Sequence, residues 1–186
     1  AIKPDIILVA VSAFGAEGPY AQRVGFDGIG QAMSGAAYLS GLPGQPMKSY
    51  ASWVDVSTAL YSTIGALAAI MEKKATGRGQ EVQTALMTSA VTLFNFNMIE
   101  QAIRQVDRKA SGNRIQSSGP GDIVPTSDGF IMVQVVGDPL FERWAHMVGA
   151  PEMIADPRFA TDVSRAENGE VLSARTADWS RGLTTA

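Results

Sequence analysis

The sequence predicts an α/β protein, and three observations lead there. The run "DIILVAVSAF" (Asp5–Phe14) is a short, nearly continuous stretch rich in Ile, Leu and Val, as in a strand of a parallel sheet covered on both faces. From Asp55 to Lys74, Leu60, Ile64, Leu67 and Met71 recur at three- and four-residue steps, the period of a helix. Glu81–Leu86 then alternates and reads as a strand.

The elements follow in order. After the first strand, "GAEGPYAQRVGFDG" (Gly15–Gly28) is rich in Gly and Pro and reads as a long surface loop of the kind that carries ligand contacts. Gly28–Leu39 reads as a short helix of small residues, closed by the turn "GLPGQP". Ala66, Ala68 and Ala69 add helix propensity to the long 55–74 segment, and Gly77 stands near its C-terminal cap position. Thr88–Arg108 reads as another helix, apolar early and increasingly charged. "KASGNRIQSSGPGD" (Lys109–Asp122) breaks the composition and is the expected domain boundary. Beyond it, two short strands flank a turn at Ser127–Gly129, a helix runs from about Pro139 to Val148, and the polar remainder from Ala150 holds short helical patches.

Composition narrows the function classes. With 186 residues, 46% hydrophobic and 18% charged, the chain is globular and long enough for a sizeable core. A net charge of −3 offers no basic footprint for nucleic acid. Zero cysteines remove disulfides, thiolate nucleophiles and Cys-ligated metals, and fit a cytoplasmic protein. There is neither an uncharged apolar stretch of membrane-spanning length nor a secretory signal. The sequence opens without Met on an apolar strand, which suggests an internal piece of a longer protein.

Asp55 is the leading candidate for chemistry, because it heads an otherwise apolar helix beside Trp53, Val54 and Val56. Two readings stay open from pattern alone. Ser52-Trp-Val-Asp55 fits a capping box, in which the carboxylate serves its own helix terminus. The same place also suits a poorly solvated carboxylate nucleophile. His146 stands alone and reads as structural; with neither paired His nor Cys, no metal site is expected. "GFDGIGQAMSG" (Gly25–Gly35) is not a dinucleotide loop, since Met33 replaces the third glycine. "SSGPGD" (Ser117–Asp122) is a Gly-Pro turn whose exposed N–H groups could face an oxyanion or phosphate. Arg23, Lys48 and Arg114 could each recognise a carboxylate or phosphate, and each reads equally as a solvated charge.

Three segments together carry a family resemblance: "KPDIILVAVSAFGAEGPYAQRVGFDGIGQAMSG", "YASWVDVSTALYSTIGALAAIMEKKATGRGQEVQTAL" and "SDGFIMVQVVGDPLFERW". They resemble the class III (CaiB/BaiF-type) coenzyme A transferases over essentially the whole chain, with the helix followed by "TGRGQ" as the most specific signature. The resemblance implies a partial Rossmann-like CoA-binding domain with a connecting helix over residues 1–110, then the beginning of a smaller α/β domain over 111–186. It implies Asp55 as the catalytic aspartate, forming an aspartyl mixed anhydride and then an aspartyl-CoA thioester. It places Arg23, Val24, Gly25, Phe26 and Asp27 in the CoA pocket, and Gly119 and Gly121 in a glycine-rich loop over the active site. Coenzyme A would be substrate and product, with no permanently bound cofactor; the partners would be an acyl-CoA and a carboxylic acid. The full-length protein would be an interlocked homodimer.

The superfamily also includes α-methylacyl-CoA racemases. Their histidine falls where this chain has Phe26, and Asp138 stands where they carry a glutamate, so the resemblance favours acyl transfer over epimerisation. A non-catalytic CoA-binding fragment is the third reading.

Overall fold

The computed structural model describes residues 3–185. The chain divides into two compact units, residues 1–110 and 111–186.

In the first unit, β1 (Leu8–Ser12) pairs in parallel with β2 (Glu81–Ala85), Leu8 opposite Glu81 and Ser12 opposite Ala85. A parallel pair needs a long crossover, and here it contains α1 (Asp27–Met33), α2 (Ala36–Leu39) and α3 (Trp53–Thr76). After β2 the chain turns directly into α4 (Leu86–Leu93) and α5 (Asn95–Arg104). The expected helix over 28–39 is split at Gly35, whose φ of 86° is left-handed and cannot continue a helix. The expected 88–108 helix is likewise two, hinged at Phe94 and stopped by Gln105 at a φ of 54°.

The longest helix, α3, packs on β1, β2, α1 and α4. Its inward face is small and hydroxylated: Ser57, Thr58, Ser62 and Ala69 are buried. A Cβ on Gly65 would lie 2.5 Å from Val82 Cγ1, so glycine lets the helix lie close on β2 at this point. Thr58 and Ser62 return their hydroxyls to backbone carbonyls four residues back, and Ser62 Oγ meets Thr84 Oγ1 at 2.6 Å. The large apolar side chains that set the helical period, Leu60, Ile64, Leu67 and Met71, point outward instead. By length and composition alone α3 could also cross a membrane, a test that core helices pass too. Strand β1 shares the same exposure. It is shorter than the run 5–14, and Leu8 and Val11 stand more than half exposed; among the described residues β2 is its only neighbouring strand.

The second unit is built on the hairpin of β3 (Gly121–Pro125) and β4 (Phe130–Gln134), with Gly121 opposite Gln134. Helix α6 (Asp138–Met147), two 3₁₀ turns (Pro151–Ala155 and Pro157–Phe159), α7 (Asp162–Glu167) and α8 (Gly169–Ser180) complete it. The twelve-residue α8, which the polar sequence hardly announces, packs against β3. The core gathers Phe141, Trp144, Val148, Phe159 and Leu172, and Trp144 Nε1 donates to Thr176 Oγ1 at 3.1 Å.

A partly buried polar knot joins the β4–α6 turn to α7. Asp162 accepts from Ser118 Oγ at 2.6 Å, from the Gly137 N–H at 3.0 Å and from Arg165 Nη1 at 3.1 Å. Arg165, itself buried, also donates to Asp138 and to the Phe159 carbonyl. The Ser118 hydroxyl, the Gly137 amide and the Arg165 charge hold the Asp162 carboxyl below its ordinary value, against the opposing effect of partial desolvation. A carboxyl depressed by folding contributes stability that is complete above its unfolded value, about 3.9, and is lost as pH falls through its folded value. Denaturant melts taken between pH 7 and pH 2 are therefore expected to show this unit weakening only in the acid range. Asp162→Asn should be less stable at pH 7 and lose less on acidification.

Candidate active site

Asp55 lies in the first turn of α3, with its side chain exposed on the surface of the unit. The capping box suggested by Ser52-Trp-Val-Asp55 is not formed. Ser52 is the N-cap residue but makes no side-chain cap hydrogen bond. The cap comes from Asp27, at the start of α1. Its Oδ1 accepts from the backbone N–H of Val54 at 2.9 Å and of Asp55 at 3.4 Å. Asp27 Oδ2 accepts from Gln31 Nε2 at 2.6 Å, an i,i+4 pair on the inner face of α1. Gln31 in turn takes the Ser49 N–H on its Oε1 at 2.7 Å. Gly30 completes the contact, since a Cβ there would sit 2.7 Å from Val54 Cγ1.

Asp27 is 7% exposed, and its oxygens are committed to α3 and Gln31. Its loop neighbours differ. Val24 and Phe26 are 87% and 76% exposed, so both are open to a ligand. The Arg23 guanidinium lies 4.3 Å from the centre of the Tyr20 ring, which meets Phe14 edge-on at 5.5 Å. Gly25 allows the loop to pass the end of β1, where an added Cβ would stand 2.9 Å from Ala13 Cβ.

Gly119 and Gly121 lie in the second unit, and both are buried together with Ser118 and Pro120. A Cβ on Gly119 would come within 3.0 Å of Leu172 Cδ1, and one on Gly121 within 2.2 Å of Ile115 Cγ2. The "SSGPGD" stretch is therefore not the exposed N–H loop the sequence suggested: its glycines make room for packing. Arg114 pairs with Glu170, and Lys48 donates to the Ser49 carbonyl. Among the described residues no cluster of three or more His, Cys, Asp or Glu could hold a metal.

A cleft of about 440 Å³ opens at the carboxyl ends of β1 and β2, lined by Ser12, Thr84, Thr88, Ser89, Gln83 and Tyr61. Parallel α/β sheets commonly bind ligands at that end, so the strand assignments alone could have pointed there. Tyr61 is six residues along α3 from Asp55, about 9 Å at 1.5 Å per residue.

Known proteins match this geometry and sequence. Residues 1–186 match the profile described as CoA-transferase family III. The succinyl-CoA–D-citramalate CoA-transferase of Chloroflexus aurantiacus is 32% identical over 99% of this chain, and the succinate–glutarate CoA-transferase of Agrobacterium fabrum is 34% identical over 100%. The crystal structure of a CaiB/BaiF family protein from Brucella suis superposes with a TM-score of 0.78 at 28% identity over 97% of the chain. The chain spans 46%, 48% and 48% of these three proteins respectively, so it corresponds to about half of each. With a family match that runs from the first residue to the last, on an α/β fold shared with a CaiB/BaiF protein, this chain belongs to CoA-transferase family III.

Proposed function

We propose that the complete polypeptide moves coenzyme A from an acyl-CoA to a free carboxylic acid, with Asp55 as the catalytic nucleophile. The observation that carries this reading is the division of labour at the head of α3. Asp27 caps the helix, which leaves the Asp55 carboxylate exposed and not needed for the fold. An Asp55 oxygen attacks the thioester carbonyl carbon, and the tetrahedral intermediate expels CoA thiolate to leave an aspartyl mixed anhydride. The thiolate attacks the aspartyl carbonyl, releases the first acid as its carboxylate and forms an aspartyl-CoA thioester. The second acid displaces the thiolate in turn, giving a new mixed anhydride. The thiolate then takes the new acyl group and frees Asp55.

One thioester replaces another, so the sequence needs neither redox equivalents nor a resident cofactor. The names of the two relatives pair succinate or succinyl-CoA with a second dicarboxylate, which supports a C4–C5 dicarboxylate pair here as well. Arg23, Val24, Gly25 and Phe26 are the CoA-contacting loop in this reading, and their surface position supports it. Assembly as a homodimer and a cytoplasmic location belong to the same proposal and rest on the family resemblance. Racemase chemistry has no support at Phe26, which offers no proton-transferring group.

The test is trapping. The complete polypeptide, incubated with succinyl-CoA and quenched in hydroxylamine, should yield a hydroxamate that peptide mapping places at Asp55. An unmodified Asp55 with every acyl-CoA tried, together with solvent deuterium entering the α-carbon of the acyl group, would transfer the assignment to the racemases.

A further inference from the structure

We propose that Asp27 is a positioning residue for Asp55, an inference that rests on Asp55 being the nucleophile. Asp27 lies 28 residues before Asp55 and contacts it only through the backbone. Its Oδ1 receives the Val54 and Asp55 N–H groups, which sets where α3 begins and how its first turn is rotated. Its Oδ2 receives Gln31, which is 1% exposed. Because Gln31 Oε1 is occupied by the Ser49 N–H, its Nε2 must face Asp27 and the carbonyls of Ser49 and Ala51. Asp27 and Gln31 thus tie residues 49 to 55, the whole approach to the nucleophile, onto α1. Ser52, the residue that could have capped α3 locally, takes no part. A nucleophile must meet its carbonyl within tenths of an ångström, so the placement of Asp55 depends on this two-residue clamp.

Asparagine at position 27 has nearly the shape of aspartate. Its oxygen can still cap Val54, but its amide then confronts the Gln31 amide, donor against donor. In the complete polypeptide, Asp27→Asn is expected to slow Asp55 adduct formation at saturating succinyl-CoA by about ten- to a hundredfold. The KM for succinyl-CoA should change by less than about threefold, the pattern of lost transition-state geometry without lost binding. Amide hydrogen exchange at Val54 and Asp55 should accelerate. Gln31→Met, which leaves the Asp27 cap in place, should slow adduct formation in the same sense and provides the measurement if Asp27→Asn does not fold.

A KM that rises while the adduct rate holds would overturn the inference and return Asp27 to the CoA pocket. An unchanged rate in Gln31→Met would overturn it as well. Absence of any adduct on the wild-type polypeptide would sink the reading of Asp55 itself and this inference with it, a result visible before any variant is made.

Discussion

Asp55→Ala in the complete polypeptide is expected to lower CoA transfer by roughly 10⁴- to 10⁶-fold, the scale on which a covalent nucleophile is lost. Stability should hardly change. Asp55 contributes to α3 only as an acid near the positive end of the helix, worth about 0.3–1 kcal/mol, because the cap belongs to Asp27. Asp55→Asn should behave alike, since an amide matches the carboxylate in shape but cannot form the anhydride. Steady-state transfer of CoA from succinyl-CoA to glutarate, run beside a urea melt of each variant, separates the two effects. Full folding with activity gone supports the nucleophile. A parallel loss of both would make Asp55 a structural acid after all.

Phe141→Ala should cost the second unit about 3–5 kcal/mol, the range for deleting a fully buried phenyl ring. Phe141 is 1% exposed and sits at the centre of its core. It stacks on Trp144 with centroids 5.3 Å apart, meets Phe159 at 6.1 Å, and carries the Arg165 guanidinium 4.1 Å above its ring. Removing the ring opens a cavity and strips apolar cover from a buried cation, so two costs add. A domain of ordinary stability has about 5–15 kcal/mol in all, and a large share would go. Chemical denaturation followed by tryptophan fluorescence would register it through Trp144 and Trp179. Phe130→Ala is the control. Its ring is 68% exposed, and its loss should stay within about 0.5 kcal/mol.

The candidate site was partly legible beforehand. Asp55 stood out as a candidate because a lone carboxylate at the head of an apolar helix is conspicuous, and because the segment around it carries the family resemblance. Its surroundings did not. Ser52-Trp-Val-Asp55 has the letters of a capping box yet forms none, whereas Thr161 and Ser164 form a real one without the expected acidic partner. The family resemblance placed Asp27 in the CoA pocket and Gly119 and Gly121 in a loop over the active site, whereas the two glycines are buried in the second unit. Their burial comes from Ile115, Leu172 and the Arg165 backbone, contacts that no local pattern encodes.

The fold divides along the same line. Helical and strand periods, the left-handed stop at Gly77 and the α/β class are local properties, written within a few turns of chain and recovered as such. Orientation is not local. The Leu60–Met71 stripe sets the period of α3, yet Ser57, Thr58, Ser62 and Gly65 face the sheet, because close approach to Val82 and Thr84 favours small side chains over large apolar ones. Which residue caps the helix was likewise chosen across 27 positions, by an acid whose oxygens lie within hydrogen-bond reach only after α1 and α3 have packed. Periodicity needs neighbours in sequence; a cap and a buried face need neighbours in space.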